Sequence, residues 1–462
     1  MMKRTTILLF VLGFVLGSHA QESAILRLSL KEAQDYAVEH NYALQNASLD
    51  VKKAEASRWQ AISSMLPQVK ASFDYQNMCG YEMNLGSRGT SSMMPDSVTI
   101  GGVTMPIGFI YNSSSDDDNS SGGIPMNPSG TLGITASVAL TGAQIVSAML
   151  SKVAIDMADI TRRQTEQATR ANVKSVYTSI LVMEQTVSLL DSSLTNMQQL
   201  LETTEASVRA GAAEQIQADK LSVQVASMRN SINSTRRSLT MLYNSILLQL
   251  GADVESQLEL STTIDEVVDV EQAAKLTLGG FAIEKNYNYQ LLEQSEKLSE
   301  RQLTLAWMDF TPTLSAYYQY SYKTYFGKDA GFNMTPPNMI GASVSVPLFQ
   351  SGTRMAKIKG AKIDYQETMN SRRQAEDGLR VQYNQLCYDL VSAIESYQIQ
   401  RDNLDVTRRV FTNVAEKYKY GHASNLEVTN ASTDIISAQS NYIQAFMSVV
   451  SAQVALENLL GN

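Results

Sequence analysis

Apolar residues recur every seven positions at Val173, Ile180, Val187, Leu194, Leu201 and Val208, with Val176, Met183, Leu190 and Met197 as a companion seam. The same register returns at Tyr383, Leu390, Tyr397, Leu404, Phe411 and Tyr418, beside Leu379, Leu386 and Ala393. A two-position heptad held this long predicts coiled-coil helices. No proline interrupts residues 143–210 or 353–420, so each stretch is expected to be one long helix, with Gly360 and Gly378 as weak spots. At 1.5 Å per residue, roughly 68 residues span about 100 Å.

Shorter helical patterns follow at 212–250 and 422–460, and each must run back antiparallel to its long helix. In the second, Ala431, Ala438, Ala445 and Ala452 form a small-residue stripe beside Val428, Ile435, Tyr442 and Val449, which permits close packing. Ser29-Leu30-Lys31-Glu32 reads as a capping box and Asp269-Val270-Glu271-Gln272 as a looser equivalent. Each is expected to open a single helix of roughly 37 residues, running to about Pro67 or Pro312. Opening and returning helices together match the long helix in length, so they can stack end to end beside it. Residues 251–270 are then left as a connector at mid-height.

Between opening and long helices the period changes from seven to two. Val69, Ala71, Phe73 and Tyr75 alternate with Lys70, Ser72, Asp74 and Gln76, and Ile134, Ala136, Val138 and Leu140 with Thr135, Ser137 and Ala139. Leu314, Ala316, Tyr318, Tyr320 and Tyr322 alternate with Ser315, Tyr317, Gln319, Ser321 and Lys323; Ile340, Ala342, Val344 and Val346 alternate with Gly341, Ser343 and Ser345. Alternation alone fits a sheet packed on helices as well as a membrane barrel with a wet lumen. The strand lengths, the tyrosines suited to an interface girdle and helices too long for a compact core favour the barrel. Four strands cannot enclose a lumen, so several chains must share one barrel.

The chain is built twice. Gly142 and Gly352, Gly211 and Gly421, and Gly251 and Gly461 are each 210 residues apart, whereas Pro67 and Pro312 are 245 apart. The first half therefore carries 35 extra residues between Pro67 and Gly142. They fall in 78–130, a stretch rich in Gly, Ser, Asn and Pro that reads as an extracellular loop. Its Asp116-Asp117-Asp118 run lacks the spacing of an EF-hand. The organisation expected is a first repeat at 21–250, the connector at 251–270 and a second repeat at 271–462. Pro67, Pro312, Pro347, Gly142 and Gly352 mark the steps between helix and strand.

Composition narrows the function. The 462 residues include only 9 Pro, 2 Cys and 3 His, with a formal charge of −9 and no basic block. That argues against nucleic acid as a partner, against a disulfide framework or zinc site, and against histidine chemistry. No phosphate loop, Gly-x-Ser-x-Gly or His-Glu-x-x-His is present, so no catalytic residue, metal site or cofactor is assigned and the chain does not read as an enzyme. Lys3-Arg4, the apolar run Ile7–Leu16 and Ser18-His19-Ala20 read as a secretory signal over 1–20, cleaved before Gln21. No apolar run of 18 residues follows, so membrane crossing is assigned to the strands.

These features resemble the TolC family of outer-membrane efflux proteins. The resemblance rests on Ser29 to Ala33, the Leu66-Pro67 step into a strand, Val346-Pro347-Leu348-Phe349 leading to Gly352, and Tyr418-Lys419-Tyr420-Gly421 followed by Leu426-Glu427-Val428. It implies a mainly α chain with membrane β, a homotrimer sharing a 12-stranded barrel, and a coiled-coil helical tunnel. It places the protein in the outer membrane of a Gram-negative bacterium, against outer-membrane lipid, with a large periplasmic portion. The role implied is the exit duct of a tripartite efflux or secretion system, with a periplasmic adaptor and an inner-membrane pump of RND or ABC type. Gly211, Ala212, Tyr418, Gly421 and His422 would lie at the adaptor-facing tips. Glu427 and Asn430, with Gln217 and Lys220 in the other half, would line a periplasmic gate. Two departures are Ala139 in place of proline at the first strand exit and the tyrosine-free Val208-Arg209-Ala210-Gly211 tip. A passive envelope fibre or adhesin would use the same coiled coils, but it would not require duplicated hairpins with a polar face.

Overall fold

The computed structural model describes residues 26–79, 82–83, 97–100, 103–106, 124–125, 127–263, 270–326 and 336–461. The leader at 1–20, the Asp116–Asp118 run and Asp269 lie outside the described residues, as does most of the 78–130 loop. The chain divides into a helical unit (Met1–Trp59, Ala148–Ala306, Met355–Asn462) and a sheet unit (Gln60–Ser147, Trp307–Arg354). In chain order the main elements are β1 (Leu26–Leu28), α1 (Leu30–His40), α2 (Tyr42–Ser63), β2 (Gln68–Gln76), β3 (Ser129–Leu140), α3 (Gly142–Arg209) and α4 (Gln215–Leu250). They continue with β4 (Leu258–Leu260), α5 (Val270–Leu278), α6 (Tyr287–Met308), β5 (Thr313–Tyr325), β6 (Asn338–Ser345), α7 (Thr353–Lys419) and α8 (Asn425–Leu460). Within the 78–130 loop, Glu82–Met83 pairs with Ile124–Pro125 and Ser97–Ile100 with Val103–Pro106.

In the sheet unit four antiparallel strands stand in the order β6-β5-β3-β2. The register aligns the period-two pattern across all of them. Val69 faces Ala136, Phe73 faces Leu132, Ile134 faces Tyr320, Leu140 faces Leu314, and Ile340 faces Tyr318. The alternating apolar positions thus fall on one face, and Lys70, Asp74, Thr135, Gln319 and Ser343 fall on the other with Met339. Among the described residues nothing covers the apolar face: Phe73 is 68% exposed and Ile340 84%. Among the described residues β2 and β6 each pair along one edge only.

The sequence places its punctuation where this unit needs it. Pro67 and Pro312 sit immediately before β2 and β5, each four residues beyond the end of a helix. The first turn of α3 is closed by Thr141 and Gln144, the Gln144 amide donating to the Thr141 hydroxyl at 3.2 Å and the Thr141 amide to the Gln144 side chain at 3.0 Å. A Cβ on Gly142 would run into the side chains of Thr311 and Met308, so glycine lets the start of α3 lie close against the end of α6. After β6 the chain turns through Ser351 and Gly352 at φ of 47° and 82°. Arg354, buried, holds that turn by donating to the Pro347 carbonyl at 2.8 Å.

In the helical unit the heptad seams face inward. Val173, Ile180, Leu190 and Met197 of α3 and Leu390, Leu404 and Phe411 of α7 are buried. Asp191 of α3 pairs with Arg236 of α4 at 2.7 Å, and Tyr243 of α4 donates to Glu184 at 2.6 Å. Val182 of α3 packs on Phe446 and Val450 of α8, and Tyr397 of α7 meets Phe446 edge-on at 5.6 Å. Helix α3 thus contacts both α4 and α8, α8 contacts α7, and α4 meets α8 as well. Helix α7 runs without a break through Gly360 and Gly378.

Each half lacks the single opening helix expected from the sequence. Asn41 ends α1, and its side chain accepts from the Ala43 amide at 2.8 Å, starting α2, while donating to the Gln249 carbonyl at 2.7 Å. Asn286 repeats the device, accepting from Tyr289 at 3.1 Å and donating to Leu459 at 2.9 Å, after a short 3-10 turn at Ile283–Lys285. One asparagine thus caps a new helix and ties it to the end of a returning helix, supplying partners to an amide and a carbonyl that helix ends leave unpaired. Cβ atoms on Gly251 and Gly461 would strike the carbonyls of His40 and Lys285, so the returning helices end in glycine where they meet these breaks. The parallel pair β1 and β4, with Tyr177 donating to the Leu28 carbonyl at 3.0 Å, has no counterpart in the sequence reading, and β4 occupies part of the 251–270 connector. Helices α4 and α8 begin three residues later than the expected 212 and 422. On mean hydropathy alone α8 is long and apolar enough to cross a membrane, yet its Val428, Ile435, Phe446, Val449 and Leu456 are buried in the bundle.

Candidate functional site at the helix reversals

The two reversals, between α3 and α4 and between α7 and α8, are built alike. Gly211 and Gly421 adopt φ of 77° and 73°, the left-handed region that favours glycine. The amide of each glycine donates three residues back, to Val208 and to Tyr418, at 2.9 Å in both cases. The next amides, Ala212 and His422, donate five residues back to Ser207 and Lys417 at 2.9 and 2.8 Å. That pair of bonds is a Schellman motif and accounts for both glycines by backbone geometry. A Cβ at either would meet nothing, so the constraint is conformation and not space.

The restarts differ. Glu214 caps α4 without a side-chain bond, whereas Ser424 and Glu427 form a full capping box on α8. The Glu427 carboxylate accepts from the Ser424 amide at 2.6 Å and the Ser424 hydroxyl at 3.0 Å. These bonds, with Lys417 adding attraction, hold its pKa below the usual carboxylate range. Glu427 and Asn430 are exposed on the same face of α8; Lys220 is exposed and Gln217 half-buried on α4.

The reversals are joined. Asn425 donates to the Gln217 carbonyl at 3.0 Å, and the hydroxyls of Tyr418 and Thr204 lie 3.2 Å apart. Beneath them Met197, Leu200, Leu221, Val225, Phe411, Val428, Ala431 and Ile435 form one buried cluster from all four helices. Tyr418 packs against this cluster and is half-buried, so the aromatic side chain presented at the surface is Tyr420, 78% exposed, together with Leu426 at 67%. The signal was in the sequence: Tyr418 belongs to the heptad seam and Tyr420 does not. Ala212 and His422 are exposed beside the turns.

A profile of the outer membrane efflux protein family matches residues 280–462. BepC of Brucella suis, an outer membrane efflux protein, is 28% identical over 138 residues, 30% of each chain. TtgC of Pseudomonas putida, a toluene efflux pump outer membrane protein, is 22% identical over 326 residues, 65% of this chain and 62% of that one. The chain thus spans less than two thirds of the length of either relative. The solved structure of CusC superposes with a TM-score of 0.70 at 16% identity, covering 94% of this chain and 92% of CusC. The second half of the chain thus resembles the outer membrane efflux protein family, at identities below 30%. The fold of the chain, mainly helical with a four-stranded sheet, is that of the outer-membrane channels CusC and OprN.

Proposed function

We propose that three copies of the chain close one twelve-stranded barrel in the outer membrane, continued by a helical tunnel into the periplasm. The assembly acts as the exit duct of a tripartite efflux or secretion system. The observation that carries this reading is the four-stranded sheet, whose apolar face is exposed throughout and whose two outer strands pair on one side only. In water such a face and such edges are costly; in lipid, with copies joined edge to edge, both are satisfied. Strands of 8 to 13 residues suit a tilted crossing. The polar face then lines the lumen.

The reversals face the periplasm in this reading and receive the adaptor of an RND-type or ABC-type pump. Ala212, His422 and Tyr420 are the surface offered there, while Gly211, Gly421 and Tyr418 shape the turns. Glu427 and Asn430, repeated by symmetry, form rings at the tunnel mouth, with Gln217 and Lys220 beside them. Chemical crosslinking of the detergent-extracted protein should stop at three subunits, and a water-soluble monomer of full helicity would contradict the proposal.

A further inference from the structure

We infer that the turn at 346–349 is a lipid anchor, seated in the headgroup region at the helix end of the sheet. The inference rests on the membrane-barrel reading above and adds a site that holds that barrel at depth. Strand β3 passes almost directly into α3, since Leu140 faces Leu314 of β5 and Gly142 already begins the helix. Strand β6 leaves the sheet at the same level, where Ser345 faces Thr313, yet residues 346–352 intervene before α7. Pro347 has no amide to pair, so the sheet edge ends there and the chain is free to turn out.

The turn is firmly held. Buried Arg354 donates to the Pro347 carbonyl at 2.8 Å and to the Gln350 side chain at 3.0 Å, and its guanidinium lies 5.2 Å from the centre of the Phe310 ring. The Thr353 amide donates to the Gln350 carbonyl at 3.0 Å. What this framework presents is apolar: Leu348 is 90% exposed and Phe349 85%. In water two such side chains forgo the gain of burial, so a turn fixed by polar bonds that displays them calls for an apolar partner.

Continuity identifies that partner as lipid. Ile340, Val344 and Val346 run down the uncovered face of β6, and the turn extends this face past the last paired residue. Trp307, also exposed, stands 6.2 Å from the Phe310 ring, so Phe310 and Arg354 join an indole to the turn. An indole beside an apolar turn suits the membrane–water interface, where such rings sit at headgroup level. Tyr75, Tyr322 and Phe326, all exposed, take the corresponding place at the other end of the sheet. From Leu314 to Tyr322 β5 rises about 26 Å at about 3.3 Å per residue, and a tilt of about 40° shortens this to about 20 Å. An apolar turn beyond Leu314 restores the roughly 25 Å band that a barrel presents to lipid.

The test uses single-tryptophan variants of the full-length chain in a Trp59→Phe, Trp307→Phe background. Assembled trimers are reconstituted in phosphatidylethanolamine–phosphatidylglycerol vesicles brominated either near the headgroup or near the acyl-chain ends. Phe349→Trp should lose most of its emission to the shallow bromine and little to the deep one, and Leu348→Trp repeats the test if the first variant does not assemble. Ile134→Trp, midway along the apolar face of β3, should show the opposite order. In a chain carrying only Trp59→Phe, replacing Leu348 and Phe349 by serine should reduce shallow quenching of Trp307. Emission at 348 and 349 untouched by either bromine, while Ile134→Trp is quenched, overturns the anchor and leaves the turn to a neighbouring copy. Trimers in which Ile134→Trp is not quenched either overturn the membrane-barrel reading as well.

Discussion

At the residue scale, most of the features that position the chain are polar side chains spent on backbone. Asn286 is buried and satisfies two backbone groups, so Asn286→Ala should destabilise the helical unit by about 1–3 kcal/mol, read from the denaturation midpoint. Asn286→Asp, which keeps the acceptor, should cost less than Asn286→Leu. The clue was legible: Asn-Tyr recurs at 41–42 and 286–287, separated by 245 residues like Pro67 and Pro312. Asparagine inside an apolar period looks like a tolerated helix residue, and only tertiary contact shows the carbonyl it reaches. Glu427 illustrates a residue with two demands. Its carboxylate is held ionised by Ser424, so its contribution to the α8 cap is present above the ordinary carboxylate pKa and is lost as pH falls through the depressed folded value. Amide exchange in the first turn of α8 should accelerate over that acidic window, and Glu427→Gln, which retains an acceptor, should remove the pH dependence. The same substitution should weaken cation preference in bilayer recordings, whereas Glu367→Gln on an exposed face of α7 should not. Equal selectivity in wild type and Glu427→Gln would remove this carboxylate from the gate.

At the scale of elements, periodicity was a sufficient guide wherever one face is buried or one face meets a different solvent. The heptads locate α3 and α7 to within a residue of 143–210 and 353–420 because a seam of this length has no other way to bury itself. The period-two runs locate β2, β3, β5 and β6, and their register follows from the need to keep all apolar positions on one face. The three-residue strands β1 and β4 were invisible, since Leu-Arg-Leu and Leu-Glu-Leu are too short to carry a period. The helix reversals were located by their glycines, but the late starts of α4 and α8 depend on the Schellman turns, which consume the intervening residues. Gly421→Ala should therefore destabilise the reversal by about 1 kcal/mol through backbone strain, measured by local amide exchange. Bulky replacements at Ala212 or His422 should instead reduce adaptor binding with the assembly intact, and unchanged binding by both would confine this region to a backbone role. If the Gly- and Ser-rich composition of 78–130 marks a loop, deleting Ser91 to Asn127 should leave assembly unchanged; a deletion variant that fails to assemble would make the segment structural.

At the scale of the molecule, one chain holds a sheet that finds no cover and a bundle whose flanks remain apolar. The proposed sharing of a membrane barrel and a tunnel between copies would cover both, and neither was deducible from period alone, since a sheet buried on its own helices shows the same alternation. What separates the cases is the exposure of Phe73, Leu132, Tyr322 and Ile340 on one continuous face. The central claim is that the assembled chain is an open-ended duct, and single-channel recording in a planar bilayer tests it most directly. Purified protein of trimeric size should insert and carry current in discrete steps, with a cation preference that Glu427→Gln reduces. A trimer that inserts yet passes no current under any voltage or salt condition would contradict the account.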